Sequence, residues 1–280
     1  MLTFVGLGLY DERSVTIRGQ EAIRSSDRIF AEFYTSRLTG ATISDLESTH
    51  DVDVEVRDRA GVENDPDQIF DAAESGDVAF LAAGDPMIST THVDLRLRAI
   101  ERGIETRVIH GTTASSAAAS LTGLQNYRFG KATTVPFPYA HGGGRSTRAR
   151  TGDEYTPTVP GSVLETIEDN RNRGLHTLAY LDIKVGIGPR GPDPDHEEYM
   201  TADFAAEMLA ESLGEETLGV VVARAGSEAP LVRADRLDAL VDEEFGDPLH
   251  LLVIPGELHH VEREALSVLG GASDDVLPTQ

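Results

Sequence analysis

The chain has 280 residues, of which 40% are hydrophobic and none is cysteine, so wholesale disorder, a disulfide framework, a thiolate metal site and a cysteine nucleophile are excluded. Acidic residues outnumber basic ones by 48 to 24, giving a formal net charge of −24, and lysine occurs only at 131 and 184. This balance indicates a protein from a concentrated-salt cytoplasm and argues against a nucleic-acid partner, because phosphate binding needs a basic stripe.

Short apolar runs alternate with amphipathic helical stretches, the pattern of layered α/β proteins. The first strand follows Met1 with no basic segment or cleavage pattern, so we expect no signal peptide and a cytoplasmic protein. No apolar run approaches the roughly 20 residues that cross a bilayer. Predicted strands span 2–6, 28–32, 78–82, 105–110, 132–136, 177–183, 218–223 and 249–254, and predicted helices span 16–25, 67–75, 89–102, 114–121, 163–173, 201–212 and 237–244.

The length and the element pattern predict two domains, 1–111 and 112–280. Segments 141–160 and 185–198 are dense in Gly, Pro and charge without apolar periodicity, so both are predicted as mobile surface loops. Thr201 is predicted as a helix N-cap, and the stretch 233–237 is predicted to open a helix in the same way.

The stretch 77–87 carries the strongest local signal of a binding loop. An apolar strand stops at Gly84-Asp85-Pro86, where Gly84 permits a positive φ and Pro86 keeps Asp85 extended. Open α/β sheets bind ligands at the carboxyl ends of their strands, where this loop lies. An ordinary turn with Asp85 as an N-cap explains the same residues.

Other strand ends carry weaker signals. The turn at 6–8 is Gly-x-Gly, as in dinucleotide-binding proteins, but Asp11 stands where the third glycine belongs, and a plain tight turn fits equally. Segment 110–119 enters a helix of small residues whose first N–H groups could receive a carboxylate, although a tightly packed helix is the simpler reading. Asp182 and Lys184 are as compatible with a surface pair as with a site, and a lone His250 is more often structural.

Taken together, these blocks resemble the diphthine synthases, a family of the tetrapyrrole-methylase-like class of S-adenosylmethionine (SAM) methyltransferases. The matching stretches are GLGLYDERSVTIRG at 6–19, AEFYTS at 31–36, DVAFLAAGDPMISTTH at 77–92, GLQNYRFGKATTV at 123–135, RGLHTLAYLDIK at 173–184, VVARAGS at 221–227 and FGDPLHLLVIPGELHHVE at 245–262. They cover most of the chain. Departures lie in the two polar segments and at Ala83, where the family often carries proline.

The resemblance implies an α/β fold of two αβα domains of the tetrapyrrole methylase type, with the cofactor cleft between them, and a homodimer. It implies SAM as donor, S-adenosyl-L-homocysteine as product and no metal. The substrate implied is the 3-amino-3-carboxypropyl-histidine of translation elongation factor 2, whose amino group becomes trimethylammonium in diphthamide biosynthesis. The implied cofactor contacts are Leu9, Asp85, Ile88, Thr113, Ala114, Leu181, Ala223 and His250, with Pro248 as an alternative to His250.

The chemistry is compatible with a chain that has no cysteine. Methyl transfer from a sulfonium is an in-line displacement, for which positioning the amine behind the methyl carbon is the main requirement. The amine must first lose a proton, and Asp85, His92 and Asp182 are candidate bases by chemistry alone. No catalytic residue is therefore assigned from the sequence.

Three alternatives remain open at this point. An NAD-dependent oxidoreductase would use the Gly-x-Gly turn, but the third glycine is missing and Glu32 ends the second strand slightly late. A methyltransferase of the same fold could act on a corrinoid or on ribosomal RNA, and the charge of −24 disfavours RNA. A non-catalytic partner of the translation machinery could retain the fold.

Overall fold

A computed structural model describes residues 1–138, 159–189 and 191–278. The chain divides into two compact units, the first formed by Met1–Ala114 with Pro192–His196 and Gly226–Glu228, and the second by the remaining residues. The predicted domain limits, 1–111 and 112–280, remain a proposal about independently folding parts of the chain. Most of the segment predicted as a loop at 141–160 lies outside the described residues.

The first unit is built on a parallel five-stranded sheet in the order β3-β2-β4-β1-β5. The elements in chain order are β1 Leu2–Gly6, α1 Ile17–Ser25, β2 Arg28–Glu32, α2 Ile43–His50, β3 Glu55–Val56, α3 Asp67–Ser75, β4 Val78–Ala82, α4 His92–Glu101 and β5 Thr106–Ile109. Because all strands run the same way, the loops that follow them meet at one edge of the sheet.

The centre of this sheet is buried on both faces, which explains why β4 is a continuous apolar run and why β1 is apolar apart from Thr3. Phe4 and Phe80 are fully buried and pack edge to face, with ring centroids 5.7 Å apart. Burial of each such side chain contributes about 2–3 kcal/mol. The two strands therefore give the loops at their carboxyl ends a rigid support.

The second unit contains a mixed five-stranded sheet in the order β11-β10-β12-β7-β6. The elements that follow β5 in the chain are α5 Ala114–Thr122, which begins at the last residue of the first unit, β6 Thr133–Val135, α6 Gly161–Asn172, β7 Thr177–Leu181, β8 Ile183–Gly188, β9 Gly191–Tyr199, α7 Ala202–Leu213, β10 Leu218–Ala223, β11 Leu231–Arg236, α8 Leu237–Val241, β12 His250–Ile254 and α9 His260–Gly270. Of these, only part of β9, Pro192–His196, is grouped with the first unit beyond Ala114. Strand β12 runs antiparallel to both β10 and β7. The start of β12 therefore lies at the same edge as the ends of its two neighbours.

The prediction of a loop at 185–198 was wrong, because most of this segment forms the two-stranded sheet of β8 and β9. A separate two-stranded ribbon has no buried face comparable to that of a core strand. Its sequence therefore lacks the apolar alternation by which strands are recognised. The expected strand at 177–183 correspondingly ends at Leu181, and β8 begins at Ile183.

Helix α8 begins at Leu237 as predicted, but the residues before it do not cap it, because 231–236 is a strand paired with β10 and the side chain of Arg236 makes no capping hydrogen bond. Helix α4 begins at His92 instead of 89, since Ser89 has a left-handed φ of +57°. Thr201 does occupy the N-cap of α7, but its side chain makes no capping hydrogen bond.

Besides β8 and β9, the helices and strands absent from the prediction are α2, β3, β11 and α9. Helix α2 is short and starts at a capping box in which Thr42 and Asp45 bond each other's backbone N–H groups. Within the described part of the chain, no helix combines the length and the apolar character that a membrane span requires.

Candidate functional site

Four glycines bring the loops after β1, β4 and β5 into close contact at the carboxyl edge of the first sheet. A Cβ on Gly6 would lie 2.5 Å from the Gly111 nitrogen and 2.6 Å from the Gly84 oxygen. Gly8 and Gly84 also exchange backbone hydrogen bonds of 3.1 and 2.7 Å. Only residues without a side chain allow this approach.

The loop after β4 keeps an open side at Gly84. Its φ is +72°, and a Cβ placed there would meet only the Thr112 oxygen, at 3.9 Å. The Cα of Gly84 therefore faces open space that another molecule can occupy, while its N–H and carbonyl oxygen are bonded to Gly8. Ile88, farther along the same loop, is 50% exposed.

Asp85 holds the loops after β4 and β5 together. Its side chain is 3% exposed; Oδ1 accepts from the Met87 N–H at 2.9 Å, while Oδ2 lies 2.8 Å from Nδ1 of His110 and accepts from the Gly111 N–H at 3.3 Å. The carboxylate is thus satisfied by the protein itself. A cofactor contact at Asp85 must therefore come mainly from its backbone.

A second buried pair, Glu32 and His92, contacts the loop after β4 through the His92 ring. Nδ1 of His92 lies 3.1 Å from the Pro86 carbonyl oxygen, so this nitrogen carries the hydrogen. Nε2 lies 3.3 Å from Oε1 of Glu32, with a geometry short of a hydrogen bond, and both side chains are fully buried. Burial lowers the pKa of His92 to about 4. A fully buried ring engaged in this way is not available as a base for a substrate.

Glu32 accepts hydrogen bonds from the backbone N–H groups of Tyr34 and Thr35, both at 3.0 Å, and from the Thr35 hydroxyl. Burial raises the pKa of this carboxyl to about 6, although these hydrogen bonds and the charge of Arg59 act in the opposite direction. Its oxygens are committed to the protein. Glu32 therefore cannot receive the ribose hydroxyls that an acidic residue holds in NAD-dependent enzymes, which disfavours the oxidoreductase reading.

At the corresponding edge of the second sheet lie the end of β7 at Leu181, the end of β10 at Ala223 and the start of β12 at His250. Ala223 and His250 are register partners on adjacent strands. His250 is 4% exposed, and its Nδ1 accepts from the Ala202 N–H at 3.1 Å. The ring supplies the capping bond of α7 that Thr201 does not make.

Asp182 is engaged with other groups of the second unit. Its Oδ2 accepts from the Phe137 N–H at 2.9 Å and lies 3.1 Å from Nζ of Lys184. The side chain is only 10% exposed. The pair with Lys184 is therefore largely a structural one, and Asp182 joins Asp85 and His92 among side chains held by protein groups.

The eight residues assigned as cofactor contacts fall into two groups. The first unit contains Leu9, Asp85, Ile88, Thr113 and Ala114, all on loops or a helix start after β1, β4 and β5; the second unit contains Leu181, Ala223 and His250. The sequence reading missed His110, which follows β5 directly. The available signal was a polar side chain immediately after an apolar strand, in the pattern Val-Ile-His-Gly.

The chain matches the family model of Tetrapyrrole (Corrin/Porphyrin) Methylases over residues 1–241. A diphthine synthase from Natronomonas pharaonis is 69% identical over 278 residues, which cover 99% of each chain. A diphthine synthase from Halorubrum lacusprofundi is 69% identical over 277 residues, again 99% of each chain. The origin of these relatives agrees with the salt-adapted composition.

Solved structures agree with the sequence comparison. A crystal structure of diphthine synthase matches with a TM-score of 0.81 and 35% identity, covering 98% of both chains. A putative diphthine synthase from Entamoeba histolytica matches with a TM-score of 0.77 and 32% identity, covering 96% of this chain and 98% of that one. The chain therefore belongs to the diphthine synthase family of the tetrapyrrole methylases.

Proposed function

We propose that this chain transfers methyl groups from SAM to the amino group of the 3-amino-3-carboxypropyl-histidine of translation elongation factor 2, giving the trimethylammonium product and S-adenosyl-L-homocysteine. Membership of the family makes the chain a methyltransferase. The observation that carries the specific activity is the 69% identity to diphthine synthases across 99% of the chain.

The carboxyl edge of the first sheet supports SAM as the donor. The sulfonium supplies an electrophilic methyl carbon when SAM is bound. The glycine contacts leave open space beside the main chain at Gly84, and Asp85 fixes the loop that contains it. We assign Leu9, Asp85 through its backbone, Ile88, Thr113 and Ala114 as contacts from the first unit.

From the second unit we assign Leu181, Ala223 and His250, the last with Pro248 as its alternative. Because the Nδ1 atom of His250 already bonds the Ala202 N–H, only the rest of its ring or its backbone is available to a ligand. The proposed assembly is a homodimer working in the cytoplasm, where its protein substrate functions. Light scattering after size-exclusion chromatography measures the assembly.

The test combines binding with transfer. Calorimetry in about 3 M KCl should show SAM binding and no NADH binding. Labelled SAM and elongation factor 2 carrying the precursor side chain should yield label on that histidine, and mass spectrometry should show its trimethylation. Binding of NADH without SAM, or label on RNA or a corrinoid instead of the factor, would overturn the proposal.

A further inference from the structure

His110 and Asp85 form an aspartate–histidine pair at the carboxyl edge of the first sheet. Nδ1 of His110 lies 2.8 Å from Oδ2 of Asp85. The two side chains differ sharply in exposure: that of Asp85 is 3% exposed, and that of His110 is 76% exposed. A buried carboxylate thus holds one nitrogen of an imidazole that is otherwise open to solvent.

This contact selects the tautomer of the ring. A carboxylate only accepts hydrogen bonds, so Nδ1 of His110 carries the hydrogen, and Nε2 of the neutral ring has a free lone pair. The carboxylate is itself fixed by the N–H groups of Met87 and Gly111. The pair therefore presents a proton acceptor in a set orientation, as the aspartate does for histidine in hydrolase triads.

The position of the Asp85–His110 pair is compatible with the proposed methyl transfer. Asp85 is on the loop after β4, and His110 immediately precedes the segment of Thr113 and Ala114. Both loops carry residues assigned to SAM. The three bases suggested by sequence are less suitable, because Asp85, His92 and Asp182 are buried and engaged with protein groups.

We propose that His110 is the general base of methyl transfer and that Asp85 is its positioning residue, an inference that rests on the proposed function. In each round the substrate ammonium gives one proton to Nε2 of His110. The freed nitrogen lone pair then forms the bond to the methyl carbon, while the carbon–sulfur bond breaks and its electron pair stays on sulfur. The exposed imidazolium releases its proton to solvent before the next round.

Two measurements on the full-length protein test this role. The rate of single-turnover methyl transfer should fall about 10²–10⁴-fold in His110→Asn and His110→Ala, and added imidazole should partly restore His110→Ala. Calorimetry should show SAM affinity close to that of wild type in both variants. Independently of activity, long-range ¹⁵N spectra of histidine-labelled protein should show the Nδ1–H tautomer for His110.

Controls separate the outcomes. Asp85→Asn should convert His110 to the other tautomer and slow transfer, and His260→Asn, at an exposed histidine in α9, should leave both readouts unchanged. An inactive wild type would overturn the proposed function itself. With wild type active, a His110→Asn rate lowered by less than about tenfold, or an Nε2–H tautomer in wild type, overturns the role of His110.

Discussion

Gly111 determines how closely the loops after β4 and β5 approach each other. A Cβ at this position would collide with the backbone oxygen of Gly84 and lie 2.9 Å from the nitrogen of Gly8. Neither neighbour is a flexible side chain that could rotate away. The spacing of these loops, and with it the open space beside Gly84, therefore depends on the absence of a side chain at Gly111.

Gly111→Ala should lower the free energy of unfolding by about 1–3 kcal/mol and weaken SAM binding, because the two loops must separate. Urea unfolding and calorimetry in high salt measure the two effects. Gly161→Ala is the matched control: a Cβ added there would meet no heavy atom within 4 Å, and the residue is the first of α6. It should be neutral or slightly stabilising. Wild-type stability and affinity in Gly111→Ala would contradict the glycine argument.

Helix α7 is joined to β12 through His250, whose Nδ1 accepts from the Ala202 N–H at the start of the helix. Burial lowers the pKa of this ring below its ordinary 6.5. Below that value the unfolded chain binds a proton that the folded chain refuses, so the folded state loses stability as pH falls. Burial of the ring whose hydrogen bond joins β12 to α7 therefore makes the stability of the folded state depend on pH.

His250→Asn should keep a hydrogen-bond acceptor near the position of Nδ1 and remove the titrating group. Its free energy of unfolding should therefore fall less than that of wild type between about pH 7 and about pH 5. His250→Ala removes the cap as well and should cost about 1 kcal/mol even near neutral pH, in addition to any cavity. Urea unfolding at fixed salt provides the comparison. Equal pH slopes in wild type and His250→Asn would refute the assignment.

Glu32 and His92, which form a buried pair, make opposing contributions to the pH dependence of the free energy of unfolding. The lowered pKa of His92 makes stability rise with pH between about 4 and 6.5, whereas the raised pKa of Glu32 makes it fall between 4.5 and about 6. The two effects oppose each other where the windows overlap. The pH slope removed by His250→Asn should therefore be easier to recognise than one assigned to either member of this pair.

The whole chain carries a net charge of −24, spread over a molecule of 30.1 kDa. Repulsion between surface carboxylates destabilises the compact state, and dissolved salt screens it because the Debye length shrinks to about 3 Å near 1 M. The basic residues are nearly all arginine and form exposed ion pairs such as Arg28 with Glu55, at 2.7 Å. Such pairs contribute little individually.

The melting temperature should therefore rise steeply between about 0.1 M and 1 M KCl, where screening changes most. Circular dichroism during thermal unfolding follows this transition. Comparing melting temperatures in potassium chloride and potassium sulfate at equal ionic strength separates two effects. Screening is the same in both salts, whereas sulfate additionally strengthens apolar burial. A melting temperature that does not change with KCl in this range would show that charge repulsion is not a major term.

The sequence by itself determined the layered α/β class, most core strands and the family. Runs such as Val78–Ala82 indicate burial through their local composition, and the Gly-Asp-Pro sequence that ends this run predicts the loop proposed to bind the cofactor. Blocks of residues matching diphthine synthases likewise depend only on their order along the chain. These features are local, so they can be read without knowing which parts of the chain meet.

Only the tertiary structure decided which polar groups meet. Asp85 contacts His110, Glu32 contacts His92, and His250 caps α7 through partners distant in sequence. Hydrophobic periodicity indicates that a residue is buried or exposed but not what it faces, so the sequence could not show that Asp85, His92 and Asp182 are engaged with protein groups. The ribbon of β8 and β9 escaped prediction for a related reason, since two strands that pair only with each other need no apolar alternation, and residues 185–198 have none.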